Sequence, residues 1–237
     1  MKKGKLKTSF LIGKNKVDMR WEITIKKKTK GRIIGADQGM KDVLTCSDKQ
    51  VTPKVDIHDH SLESIMRKMV EKRKGSKNFK KSQDHRENFV NWSINQLNLS
   101  GIQQINLERI WNINYKSKTS KLMSHWSNTL IRDKVVGISE ELGVHVNHQS
   151  STYRSQRCSE CGMVRKSNRK GKVYTCKHCG LIIDADYNAS LNHEQNLPEI
   201  PYNFRNLQLN RKGFFWLESG LFDLEGESLQ SLLPVNA

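Results

Sequence analysis

The sequence predicts a mixed α/β fold, on three observations. Two short apolar runs each end in an acid, at Asp37 and at Glu108, and read as buried strands. Segments with near-helical apolar spacing lie between and after them. A four-cysteine segment then interrupts the pattern before a last helical stretch. Strands alternating with helices favour a sheet covered by helices. The 237 residues suffice for one compact domain plus a small satellite.

Residues 8–12 and 20–26 read as strands, the second alternating polar and apolar. Gly31 breaks the chain, and Arg32 to Asp37 follows as a buried strand. Val43-Leu44-Thr45 and Val51 continue strand character as a meander. From Ser61 to Asn98 the period turns helical, with Leu62, Ile65 and Met69, then Phe89, Ile94 and Leu97, interrupted by a basic turn at Gly75. Ile102 to Glu108 is the second acid-tipped strand. Trp126 to Leu142 is amphipathic and closes at Gly143, a suitable C-terminal cap. Val144 to Val146 reads as a strand, and Asp184 to Asn192 as the start of a helix. The domain division that follows is 1–30 (strands), 31–149 (first part of the core), 150–183 (cysteine segment), 184–212 (end of the core) and 213–237 (acidic tail).

The net charge is +17, from 41 Lys+Arg against 24 Asp+Glu. Residues 1–30 hold 11 bases and 2 acids, residues 61–90 hold 9 and 4, and residues 150–180 hold 8 and 1, whereas the last 25 residues hold four acids and no base. Three separated basic blocks point to a surface that tracks a phosphate backbone, so DNA is the expected partner. Lys74, Lys77 and Lys80 of the turn, and Arg154, Arg157, Arg165, Lys166, Arg169 and Lys170 of the cysteine segment, are the expected phosphate contacts, which position without reading sequence. Trp111, Tyr115 and Tyr153 are candidates for stacking on bases. No run approaches the roughly 18 apolar residues of a membrane span, and the basic N-terminus lacks the apolar stretch of a signal peptide. The expected location is therefore cytoplasmic, with no membrane partner.

Four of the five cysteines form Cys158-x2-Cys161 and Cys176-x2-Cys179, with 14 residues between the pairs. In a cytosolic chain this spacing argues against disulfides and for two knuckles that converge on one ion. Zinc suits an S4 site better than an iron–sulfur centre does, and a closed four-thiolate site is structural. Gly162 and Gly180 follow the second cysteine of each pair, where a knuckle often needs positive φ. His178 reads as a surface residue and Cys46 as a small buried hydrophobe.

Asp37, Glu108, Asp184 and Asp186 stand at strand ends and a helix start. There they can hold two magnesium ions about 4 Å apart around a scissile phosphate. Taken singly, such acids more often sit on the surface, and Asp184 makes a good helix cap.

The same residues carry a resemblance. Gly35-Ala36-Asp37-Gln38-Gly39, Leu107-Glu108, the segment from Ser155 to Gly162, and Asp186-Tyr187-Asn188-Ala189-Ser190 resemble, in order, the motifs of the transposon-encoded TnpB proteins, thought to be ancestors of type V CRISPR effector nucleases. The turn Lys74 to Asn78 resembles a helix–turn element of that family. The match spans about residues 20 to 195. It implies an RNase H-like (RuvC-type) core with an inserted zinc ribbon, in a minimal or N-terminally truncated member. It implies Asp37, Glu108 and Asp186 as catalytic acids binding Mg2+ or Mn2+, structural Zn2+ on the four cysteines, and Asp184 as a cap or auxiliary group. Asp42 stands where the family usually has Asn, and Gln38 where it has an apolar residue. Full-length relatives carry a recognition lobe and most of a wedge barrel before the first motif, whereas about 30 residues precede it here. The implied activity is DNA cleavage, either guided by an RNA partner or selective for DNA structure such as a junction, flap or single strand. The alternatives are a non-cleaving DNA-binding regulator and a decayed transposon remnant.

Overall fold

The computed structural model describes residues 4–110, 120–126 and 128–232. Trp111 and Tyr115 lie outside the described residues. The first two strands, β1 (Lys5–Ile12) and β2 (Val17–Glu22), form an antiparallel hairpin. Its apolar side chains, Phe10, Ile12, Met19 and Trp21 among them, are exposed. Lys28 ties the segment that follows to the rest of the chain, its Nζ donating to the carbonyls of Leu99 at 2.6 Å and Ser100 at 2.8 Å.

The central sheet has four strands in the order β4 (Leu44–Cys46), β3 (Arg32–Gln38), β5 (Ile102–Arg109), β6 (His145–Ser150). β4 runs antiparallel to β3, while β3, β5 and β6 are parallel. Parallel neighbours need long crossovers, and helices supply them. Between β4 and β5 lie α1 (Leu62–Val70) and α2 (Lys77–Asn95); between β5 and β6 lies α3 (Asn128–Leu142). α1 starts at a reciprocal Ser61/Ser64 capping box, and α2 at Ser76, whose hydroxyl accepts from the Phe79 amide after Gly75 turns the chain at φ +82°. Gly143, at φ +72°, ends α3 as expected. Ile34, Leu44, Ile65, Met66, Ile94, Ile105 and Ile131 join in one core between sheet and helices. Cys46 is buried in it.

The cysteine segment holds short strands β7 (Met163–Val164), β8 (Arg169–Lys170), β9 (Val173–Thr175) and β10 (Ile182–Asp184), with β9 between β8 and β10. α4 (Ala185–Glu194) follows directly and crosses onto β3. The contact is tight: a Cβ added at Gly35 would lie 2.0 Å from the Ser190 carbonyl oxygen. Asn106 of β5 holds the far end, its Nδ2 donating to the His193 carbonyl at 2.8 Å.

The expected acidic tail is instead folded. β11 (Phe214–Leu217) and β12 (Gly220–Phe222) pair antiparallel, and β11 also pairs with β7, so the end of the chain completes the cysteine module. Phe214, Trp216 and Leu221 build a second core with Val164, Leu197, Ile200 and Phe204. Its apolar alternation drives the folding, and the four acids lie on the solvent side of strands and turns. Tyr153 belongs to this core too, in a left-handed turn at φ +60° with its ring against Phe204 and Phe214, which removes it from base stacking.

Candidate active site

Register brings the first two acids together. Ala36 is level with Leu107 across the parallel β3–β5 pair, so Asp37 and Glu108 follow side by side at the C-terminal ends of adjacent strands. Gln38 strengthens this edge, its Nε2 donating to the Glu108 carbonyl at 2.9 Å. α4 delivers the third acid. Asp184 caps the helix, its carboxylate accepting from the amides of Asp186 at 2.9 Å and Tyr187 at 3.0 Å, which places Asp186 in the first turn beside the strand ends. His193, two helical turns further on, lies on the same face of α4. One ring nitrogen of His193 and single carboxylate oxygens of Asp37 and Glu108 lie within 4.8 Å of one another.

The crowding has an electrostatic signature. Burial first, then the charges of Glu108 and Asp186, push the Asp37 carboxyl well above the usual carboxylate range. Burial, with Asp186 adding to it, raises Glu108 to about 7. Burial and the nearby Arg154 hold His193 well below the ordinary histidine range, so its ring is neutral. Acids in this state want a counter-cation.

Asp186 already has two cations. Arg169 Nη2 lies 2.7 Å from its Oδ1, and Lys172 Nζ bonds its Oδ2. The same ammonium reaches Asp42 Oδ2 at 2.7 Å, so Lys172 bridges the first-motif loop and α4. Asp186 therefore borders the Asp37–Glu108–His193 group while its own oxygens face the β8–β9 hairpin. Arg169 is thus engaged by a carboxylate while its side chain stays 30% exposed. A cleft of about 550 Å3 opens beside Glu108, lined also by Gln38, Arg109, Asn128, Arg132 and His148.

The donors fit a hard divalent ion. Single oxygens of Asp37 and Glu108 converge with one His193 ring nitrogen, and the buried Oε1 of Gln38, whose amide holds the Glu108 carbonyl, has no hydrogen-bond partner among the described residues.

The four cysteines also converge, with their sulfurs within 4.8 Å of one another and the Cys158–Cys179 and Cys161–Cys176 pairs at 3.6 Å. A tetrahedron with metal–sulfur bonds of about 2.3 Å has edges of about 3.8 Å, so these thiols suit zinc. The two knuckles are copies: Gly162 and Gly180, at φ +78° and +81°, each donate 3.0 Å to the carbonyl of the first cysteine in their pair. His178 is exposed.

Two arginines expected on phosphates are structural. Arg154 and Arg157 are only 4% and 3% exposed. Arg157 Nε donates to the Trp216 carbonyl at 2.7 Å and its Nη1 to Asn192 Oδ1 at 2.6 Å. Arg154 donates to the carbonyls of Ser150 and Asn192 and lies 5.1 Å from the Trp216 ring centre. Guanidinium donors here hold the cysteine module, α4 and β11 together. Lys74, Lys77, Lys80, Lys166 and Lys170 are exposed and Arg165 half-buried.

Sequence reasoning missed His193 and Lys172. His193 was within reach, seven residues after Asp186 on a helical stretch. Lys172 carried no signal in one dimension, because its partners are set by how the hairpin folds over α4.

Residues 131–193 match the family model described as Cas12f1-like, TNB domain. The chain is 32% identical over 116 residues to a CRISPR-associated endodeoxyribonuclease Cas12f1 of Sulfoacidibacillus thermotolerans, covering 48% of this chain and 26% of that protein. It is 32% identical over 105 residues to a protein of the same name from Syntrophomonas palmitatica, covering 44% and 20% respectively. The chain thus spans about a quarter or less of the length of these curated relatives. A chain in a cryo-EM structure of a Cas12f1–sgRNA–target DNA complex aligns with a TM-score of 0.49 and 18% identity, over 76% of this chain and 42% of that one. The sequence matches bear out the resemblance to TnpB-like, type V effector-related nucleases. No helix of the described residues is long and apolar enough to cross a membrane.

Proposed function

We propose that the chain is the RuvC-type nuclease core of a TnpB-like, RNA-guided DNA endonuclease that hydrolyses phosphodiester bonds with divalent metal ions. One observation carries the reading: Asp37 and Glu108 converge with His193 at one end of a sheet, and Asp186, from a distant part of the sequence, lies near enough for its charge to help raise both. The names of the Cas12f1 relatives, CRISPR-associated endodeoxyribonucleases, support DNA as the substrate class, and the guide is carried over from the resemblance to TnpB proteins. Asp37, Glu108 and Asp186 would hold Mg2+ or Mn2+, and the four cysteines Zn2+. Bound there, magnesium supplies an activated water and charge neutralisation at the leaving oxygen.

The protein's own groups have separable roles. Gln38 fixes the backbone of Glu108. The His193 ring, whose charged form burial disfavours, can complete a metal's ligand set. Lys172 and Arg169 orient Asp186, and Arg109 and Arg132 line the adjoining cleft, each paired with an exposed acid, Glu199 and Asp133, that a phosphate strand would have to displace. The exposed Lys74, Lys77, Lys80, Lys166 and Lys170, with Arg165, would hold the backbone further out. Arg154 and Arg157 act on the architecture instead.

The test is cleavage of single-stranded and duplex DNA by purified protein with magnesium or manganese, with and without the RNA that co-purifies. Asp37→Ala, Glu108→Ala and Asp186→Ala should each abolish cleavage, a loss of at least about a thousandfold, with unchanged circular dichroism. Full activity in any one of them refutes the acid assignment. Cleavage indifferent to RNA refutes guidance and leaves recognition of DNA structure.

A further inference from the structure

Outside the acidic centre, Asp56 and His60 lie in the loop before α1, and His85 sits on α2. We propose that these three side chains form a second, separate binding site for a borderline divalent transition metal of the zinc class. One oxygen, Asp56 Oδ2, serves both rings: it lies 3.4 Å from His60 Nδ1 and 3.8 Å from His85 Nε2. All three ligand atoms fall within 4.8 Å of one another. With metal–ligand bonds of about 2.0–2.1 Å, a tetrahedral zinc site has ligand–ligand edges of about 3.3 Å. The observed separations are therefore those of a site that needs only a small inward adjustment to close.

The local structure is organised for this. The backbone amides of His58 and His60 donate to Asp56 Oδ1 at 2.8 and 3.0 Å, which holds that oxygen and leaves Oδ2 to the rings. The loop is closed on itself, with the Asp56 amide donating to the His60 carbonyl at 3.0 Å and Asp59 in a left-handed turn at φ +58°. The Ser61 capping box fixes the next residue to α1, and α1 packs on α2, so His60 and His85 face each other from two anchored elements, ring centres 4.8 Å apart and edge-on. A simple ion pair does not account for the arrangement. The His60 Nδ1 atom is buried and makes no hydrogen bond among the described residues, and 3.8 Å is too long for one at His85. Two imidazoles and one carboxylate match the nitrogen and oxygen donors that zinc, nickel or cobalt prefer and that magnesium does not. Three protein ligands leave a position for water, and the ion would clip the loop to α2.

The experiment uses the whole chain with its cysteine site filled by zinc, and does not depend on cleavage. Wild type, His85→Gln and His60→Gln are equilibrated with buffered Zn2+, and bound metal is counted by mass spectrometry. The acidic centre and the cysteine site are common to all three, so the difference isolates the new site. Each variant should bind one zinc fewer than wild type, with affinity at that site lowered by more than about a hundredfold. Cobalt loading should give a wild-type minus variant spectrum with ligand-field bands and no thiolate charge transfer. Metal-free circular dichroism and melting establish that each variant is folded. Retention of the wild-type zinc count by either folded variant overturns the proposal, as does a thiolate band in the difference spectrum.

Discussion

Gly35→Ala probes the contact that positions the third acid. Gly35 lies two residues before Asp37 on β3, and α4 rests directly on it. The added methyl carbon would be 2.0 Å from the Ser190 carbonyl oxygen, 2.4 Å from the Glu194 amide nitrogen and 2.7 Å from the His193 carbonyl carbon. Real Cβ contacts essentially never fall below 3.0 Å, so helix and strand must separate by at least about 1 Å. All three obstacles are backbone, so no rotamer change relieves them. Overpacking of this kind costs about 1–3 kcal/mol, and the rigid obstacle points to the upper end. For a chain of this size that is a fall in Tm of about 6–12 °C. A displacement of about 1 Å between Asp37 and the Asp186–His193 face should also lower the cleavage rate about a hundredfold. Gly137→Ala is the control: it lies within α3, and its Cβ would meet nothing within 4 Å. That variant should be neutral or up to about 1 kcal/mol more stable. Thermal melts and single-turnover cleavage check both. A Gly35→Ala protein with wild-type Tm and wild-type rate would refute the view that this approach sets the site.

Arg157→Met should destabilise the fold by about 3 kcal/mol, because the Trp216 carbonyl and Asn192 amide lose buried partners, yet leave the salt dependence of DNA binding unchanged in the folded fraction. Replacing Lys166 and Lys170 by Gln should do the opposite, reducing the salt slope by up to about 2 with little change in urea midpoint. Cys176→Ser, or zinc removal by a chelator, should loosen residues 150–183, read as increased proteolysis within that segment. Asp37 and Glu108 both have raised pKa values when folded, so they hold protons more tightly folded than unfolded, and the stability this adds is present at low pH and lost as pH rises. For Glu108 the window runs from 4.5 to about 7. Zinc-loaded protein in magnesium-free buffer should accordingly lose Tm across that range, and Asp37→Asn should raise Tm at neutral pH. Added magnesium should restore the wild-type value.

Much of the architecture was legible in one dimension because local causes produce it. The acid-tipped strands, the break at Gly75, the cap at Asp184, the stop at Gly143 and the paired cysteine knuckles each follow from spacing or from a residue's backbone freedom. The ends of β3 and β5 were also readable as the place where acids could meet. The arginines were not. Arg154, Arg157 and Arg169 carry the same charge in the sequence as Lys166 and Lys170, and only packing separates those that hold the fold, or Asp186, from those left in water. The acidic residues after Gly213 concealed Phe214 and Trp216, whose burial outweighs the charges beside them.

The order of motifs by itself determined which groups the chain brings: three acids, a four-cysteine module and a net positive charge. Tertiary structure alone decided the state of those groups. It set His193 against Asp37 and Glu108, gave Asp186 to Arg169 and Lys172, and brought His60 and His85 around one oxygen of Asp56. These pairings depend on distances across elements far apart in the chain, and a charge's effect depends on burial and on its neighbours in space.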